Sequence, residues 1–162
     1  MLLLLVRHAH AGDRDANQWP DDRDRPLTDK GRKAQGRVSR ALGELKLAPT
    51  RVLTSPWTRA AQTADILVAE LGLSGPPIEC AALAAPPELS RIADDLGDPG
   101  SDAIVALVGH SPWIEELAAM LLTGASDGLR VDYPKSGVMG IDLEKVGPGV
   151  GTLRFFLRPK MV

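Results

Sequence analysis

The chain opens on a run that leaves few options: Met1-Leu2-Leu3-Leu4-Leu5-Val6, unbroken by any polar residue, leads directly into Arg7-His8-Ala9-His10. Alternating apolar and polar residues would describe a strand with one wet face, whereas a continuous run describes a strand buried on both. Such a strand belongs to a parallel sheet covered by helices on both sides. In open sheets of that kind, ligands bind beyond the carboxyl ends of the strands. Here that end delivers an arginine and a histidine.

The pattern downstream agrees. Residues 11–26 read as a polar loop, long enough to suggest a functional or mobile segment. Thr28 then reads as an N-cap, and Ala34, Val38, Ala41, Leu42 and Leu45 predict a helix over roughly 29–46, ending before Pro49. Arg51-Val52-Leu53-Thr54 predicts a short strand, and Ser55-Pro56 has the chemistry of a helix start. Ala60, Ala61, Ala64, Leu67, Val68 and Leu71 continue that helix to Gly72. A short strand over 78–80 and a weaker helix opened by Pro86-Pro87 follow. Residues 103–108 form the second continuous apolar run, ending in Gly109-His110-Ser111-Pro112 and a helix over about 112–123. Residues 136–143 and 151–158, around Gly147-Pro148-Gly149, read as a hairpin. The expected fold is α/β: one domain, a three-layer α/β/α sandwich with a mainly parallel central sheet and a C-terminal β-hairpin at its edge. Strand order and oligomeric state are left open.

Three predicted strand ends carry polar residues that a packed core does not require: Arg7-His8, Ser55-Pro56-Trp57-Thr58-Arg59 and Gly109-His110-Ser111. Parallel strands bring their carboxyl ends to one edge, so the segments can converge there. The site would combine two histidines and two arginines with helix starts near Pro56 and Pro112, whose free N–H groups favour an anion. Arginine forks suit phosphoryl oxygens, and a neutral imidazole can attack phosphorus, so a covalent phosphohistidine on His8, hydrolysed by water, is the expected chemistry. A formal net charge of −2 and a pI near 5.9 exclude bulk phosphate binding to nucleic acid or an anionic membrane, so the phosphate site must be local. The single cysteine, Cys80, reads as a small buried hydrophobe and fits a reducing compartment. The first apolar run is too short for a signal-peptide core or a membrane span and ends in charge, so a soluble cytoplasmic protein is expected.

Four ordered segments carry a resemblance. Leu5-Val6-Arg7-His8-Ala9, Arg25-Pro26-Leu27-Thr28-Asp29-Lys30-Gly31, the stretch from Thr54-Ser55-Pro56 through Arg59-Ala60-Ala61-Gln62-Thr63-Ala64, and Val108-Gly109-His110-Ser111-Pro112 resemble the histidine phosphatase superfamily, most of all its short SixA-type phosphohistidine phosphatases. The resemblance implies His8 as nucleophile, with Arg7, Arg59 and His110 completing a phosphate pocket, and Arg25 and Ser111 as further phosphate or substrate contacts. It implies no cofactor and no metal. In larger members an acid from an insertion after the third strand protonates the leaving oxygen. Here the corresponding stretch is short, and Glu88 is its best-placed acid, ahead of Asp94 and Asp95.

A phosphatase without a well-placed acid should favour phosphohistidine, whose P–N bond breaks more readily, over alkyl phosphates. The expected partner is therefore a phosphorylated protein, and a small phosphate is the alternative substrate. A weakly active phosphoprotein-binding module is the alternative of another class, disfavoured by the intact His8 and His110. A zinc site on His8, His10 and His110 is disfavoured by the surplus of cations. His10 reads as a loop or rim residue, and Trp57 and Trp113 as packing near the pocket rim.

Overall fold

The computed structural model describes residues 1–162. In chain order the elements are β1 (Leu2–Arg7), α1 (Asp29–Glu44), β2 (Arg51–Thr54), α2 (Thr58–Leu71), β3 (Ile78–Glu79), α3 (Leu89–Leu96), β4 (Ile104–Gly109), α4 (Trp113–Thr123), β5 (Val138–Asp142) and β6 (Thr152–Leu157). They form one six-stranded sheet in the order β3-β2-β4-β1-β5-β6. The pairs β1/β4, β4/β2 and β2/β3 are parallel, and the hairpin β5/β6 adds antiparallel to β1 and closes that edge.

The two continuous apolar runs are neighbours at the centre of the sheet, which is why neither alternates. Leu4 and Val6 of β1 join Ala106 and Val108 of β4 in a core closed by Val38 and Leu42 of α1 and by Ala60, Ala64 and Leu67 of α2. Leu3 and Leu5 join Val105 and Leu107 in the opposite core, closed by Ile92 and Leu96 of α3 and by Ile114, Leu117 and Leu121 of α4. Leu3, Leu4, Leu5 and Val6 are wholly buried. Each such side chain contributes about 1.5–3 kcal/mol of apolar burial, making β1 the strand on which both cores depend. The three-layer sandwich expected from the sequence is the fold observed.

Local signals hold where their chemistry is local. The Thr28 hydroxyl accepts from the Gly31 N–H at 3.1 Å and caps α1, and Gly72 ends α2 in the left-handed conformation that a side chain resists (φ 61°). Helix α1 stops at Glu44, two residues short of expectation. The Ser55-Pro56 helix start is a correction: α2 begins at Thr58 with Trp57 at its N-cap, and no side chain caps it. The Ser55 hydroxyl is held by a partner from another strand instead. The second apparent helix start behaves alike: α4 begins at Trp113, and the Ser111 hydroxyl donates to Glu115 at 2.7 Å rather than capping. Within the long loop, Asp22–Asp24 form a single 3-10 turn capped by Asp21.

Candidate active site

Register places the site. Arg7 pairs with Gly109 and Thr54 with Val108, so the residues following β1, β2 and β4 emerge side by side. The His8 N–H donates to the Gly109 carbonyl and the Ser55 N–H to the Val108 carbonyl, both at 3.0 Å. The His8 and His110 rings then lie 5.1 Å apart, centroid to centroid.

A hydrogen bond sets the tautomer of His8. His8 Nδ1 lies 2.7 Å from the Ala9 carbonyl, which only accepts, so Nδ1 carries the proton and Nε2 the lone pair. Arg59 Nε donates to that Nε2 at 3.3 Å. Burial, reinforced by the charges of His110, Arg59 and Arg7 and outweighing the Ala9 hydrogen bond, pushes the His8 pKa down to about 3. The Ala9 N–H donates to the Thr63 hydroxyl at 3.0 Å, and that hydroxyl donates to the Arg59 carbonyl at 2.6 Å. One threonine on α2 thus locks the His8 backbone to the helix that carries Arg59.

His110 is held from β2. Its Nε2 lies 2.8 Å from the Ser55 hydroxyl, which also accepts from the Trp57 N–H at 3.3 Å, and its Nδ1 is buried with no partner. Burial and then the Arg59 charge push its pKa down to about 3 as well. The Trp57 ring packs 4.4 Å from the imidazole and 4.7 Å from the Arg59 guanidinium, with the Trp113 ring against Trp57. Both tryptophans are therefore walls of the histidine pocket.

Two guanidiniums flank the rings. Arg7 Nη1 donates to the Tyr133 carbonyl and lies 3.9 Å from Glu115, while Arg7 Nε is buried without a partner. Tyr133 is itself buried, its hydroxyl donating to the Leu5 carbonyl and accepting from the Met139 N–H. Arg59 is 4% exposed; it donates to the Asp22 carbonyl at 2.7 Å and lies 3.2 Å from the Asp22 carboxylate. Arg25 donates to the same carboxylate at 2.8 Å and to the carbonyls of Ala11 and Gly12. The hydrogen bond from Arg25, aided by the charges of Arg59 and Arg14, holds the Asp22 carboxyl below the usual carboxylate range despite some burial.

Of the residues predicted from sequence, His8, Arg7, Arg59 and His110 come together, and Arg25 reaches them through Asp22. Ser111 is turned to Glu115. Glu88 stands exposed at the N-cap of α3, its carboxylate 3.8 Å from Arg91, with no hydrogen bond or ion pair to either histidine or to the two guanidiniums. His10 faces a different way from His8: its Nδ1 accepts from the Gly12 N–H at 3.1 Å and sits 3.1 Å from the Thr28 hydroxyl. Cys80 is buried, its thiol donating to Asp95, and burial raises its pKa to about 11. No three His, Cys, Asp or Glu side chains are grouped to hold a metal ion.

Sequence reasoning missed Asp22, Thr63, Tyr133 and Glu115, and took Ser55 for a cap. A usable signal exists for two of them. Asp22 lies three residues before Arg25, a spacing at which a turn pairs opposite charges, and Glu115 lies one helical turn beyond Ser111. Tyr133 lies 126 residues from Arg7 and no local pattern marks it.

A site of two neutral imidazoles between guanidiniums, at the carboxyl edge of a mainly parallel sheet, is built to receive a phosphoryl group. The family model for the histidine phosphatase superfamily (branch 1) matches residues 3–84. An uncharacterized protein of Picosynechococcus sp. (strain ATCC 27264 / PCC 7002 / PR-6) is 37% identical over 144 residues, covering 87% of this chain and 84% of its own. The chain belongs to the histidine phosphatase superfamily and is a phosphatase. Its fold is that of the protein histidine phosphatase SixA solved with tungstate, with a TM-score of 0.84 at 24% identity over 99% of both chains. A protein of Nakamurella multipartitia provisionally named phosphohistidine phosphatase SixA matches 98% of this chain and 95% of its own, with a TM-score of 0.68 and 26% identity.

Proposed function

We propose that the protein hydrolyses phosphohistidine carried on another protein, by way of a covalent phosphohistidine on His8. The observation that carries this reading is the tautomer of His8: with Nδ1–H bonded to Ala9 and the ring neutral, the Nε2 lone pair is the nucleophile. Nε2 attacks phosphorus and the P–N bond to the substrate imidazole breaks, the departing ring nitrogen taking a proton from solvent. Water then attacks the same phosphorus, the bond to His8 Nε2 breaks, and inorganic phosphate leaves with the proton balance returned to solvent.

Charge on the transferring oxygens needs donors aimed at it in advance. Arg7 Nε and His110 Nδ1 are buried donors without a protein acceptor, and they are assigned that role beside Arg59. The Ser55 oxygen already accepts from the Trp57 N–H, so we assign its hydroxyl proton to His110 Nε2, which leaves the ring proton on Nδ1. Arg25 contributes through Asp22, holding the long loop against the pocket.

The preference for phosphohistidine follows from the carboxylates. Glu88 is exposed and lies 3.8 Å from Arg91, a position that favours a reaction needing no proton from it. Asp22 reaches Arg59 but is held ionised by arginines, so it has no proton to give near neutral pH. With no proton from Glu88 or Asp22 a leaving alkoxide is expelled less readily, whereas the weaker P–N bond is less demanding.

The test is to incubate the enzyme with a chemically phosphorylated histidine peptide and isolate the protein in alkali. Acid-labile, base-stable phosphate on His8, absent from His8→Ala together with turnover, is the expected result. Absence of label with turnover intact in His8→Ala refutes the mechanism, and faster hydrolysis of alkyl phosphates than of the peptide refutes the substrate.

A further inference from the structure

Beside the phosphate pocket lies an open cleft of about 380 Å³ that the mechanism does not use. Helix α1 supplies Lys30 and Arg37, seven positions apart and hence on one face. The segment before β5 supplies Lys135, and the chain end supplies Arg158 and Lys160. Its one acid, Asp132, is already paired with Arg158. Lys30, Arg37, Lys135 and Lys160 have no ion-pair partner anywhere in the molecule. In a chain of net charge −2, four unpaired cations around one cleft are a concentration, not an average.

The cleft adjoins the pocket. Ser136 lines the cleft, its backbone N–H donates to the Arg7 carbonyl at 3.0 Å, and its buried hydroxyl has no partner. His10 lines the cleft too, two residues beyond the nucleophile. Lys135 lines the cleft as well, and besides its own burial the charges of Arg7, Arg25 and Arg59 depress its pKa against the opposing pull of Asp13.

We infer that this cleft recognises carboxylate side chains flanking the phosphorylated histidine of a substrate protein. The inference rests on the phosphohistidine reading above and adds to it a charge preference in the substrate. An acidic polypeptide fits better than a nucleic acid, because the molecule as a whole is anionic and has no basic excess to neutralise phosphates in bulk. It fits better than a small metabolite, because the cations come from three separate segments around an open cleft, not an enclosed one. Exposed ion pairs are individually weak, each a factor of about 1.4 to 5 in affinity, so several together give a preference on the order of tenfold that salt screens.

Three phosphohistidine peptides of equal length, flanked by four glutamates, four glutamines or four lysines, provide the test. The expected order of kcat/KM is glutamate over glutamine by about tenfold, with lysine lowest. The Arg37→Glu/Lys160→Glu double variant abolishes that order while leaving p-nitrophenyl phosphate turnover unchanged, which also shows that it is folded. Equal rates on the three peptides, or a preference that survives the double variant, overturns the inference. The unphosphorylated glutamate peptide, labelled for fluorescence anisotropy, separates this failure from failure of the catalytic reading. Binding lost in the double variant supports the cleft even if no peptide is hydrolysed. Equal binding of a single-stranded oligonucleotide of the same charge overturns it.

Discussion

The two pocket histidines make stability depend on pH with a sign opposite to that of a histidine held in an ion pair. His8 and His110 each have a pKa pushed from 6.5 down to about 3 in the fold, so between those values the unfolded chain binds more protons than the folded one. Stability therefore rises with pH through that window and is complete above 6.5. At 1.36 kcal/mol per pH unit, a histidine that titrates only in the unfolded chain costs about 2 kcal/mol at pH 5, and the two together about 4 kcal/mol. That is a large share of the roughly 5–15 kcal/mol that holds a typical domain.

Urea unfolding at pH 7.5 and pH 5.0 measures the loss directly. The control is His8→Asn/His110→Gln, in which the Asn amide keeps the donor to the Ala9 carbonyl and the Gln amide keeps a partner for Ser55. Wild type should lose about 4 kcal/mol more than this variant between the two pH values. Equal losses would show that the imidazoles remain free to protonate in the fold, and His8 would then not be held neutral by its burial.

Other outcomes follow from single contacts. Ser55→Ala removes the hydroxyl that sets the His110 tautomer and should lower kcat/KM about tenfold, the worth of one neutral hydrogen bond, with the nitrogen NMR shifts of His110 reporting a mixed tautomer; an unchanged tautomer rules out the role. Asp22→Asn removes the carboxylate that neutralises Arg59 and Arg25, so inorganic phosphate should inhibit more tightly, by about fivefold; weaker inhibition would show that Asp22 positions Arg59 more than it competes for it. In Gly31→Ala the added Cβ would lie 2.1 Å from the His10 carbonyl oxygen, where α1 meets the loop, and thermal unfolding should show a loss of about 3 kcal/mol or more.

Much of the site was legible because its polar residues interrupt patterns that burial dictates. A continuous apolar run ending in Arg7-His8 is conspicuous since a strand buried on both faces has no use for a cation at its end. The run ending in Gly109-His110 is conspicuous for the same reason. Ser55 shows where such reading stops. Serine before proline at a strand end has the local chemistry of a cap, yet α2 starts only at Thr58, and the hydroxyl meets an imidazole 55 residues away that no local pattern announces. Asp22 is similar: in a loop of mixed charges it reads as solvated, yet it bonds Arg59, 37 residues distant.

By itself the sequence determined which segments are buried on two faces, where α1 is capped at Thr28 and α2 ends at Gly72, and which residue types sit at strand ends. Those are consequences of periodicity and short-range hydrogen bonding, and both are written in adjacent residues. Only the tertiary structure decided that β4 lies between β1 and β2, which brings His110 to both His8 and Ser55. It alone also decided that His8 bonds through Nδ1 to a carbonyl while His10, two positions on, uses Nδ1 to accept an N–H. Strand order and register set distances between residues far apart in the chain, and a ring's tautomer depends on which of those partners arrives.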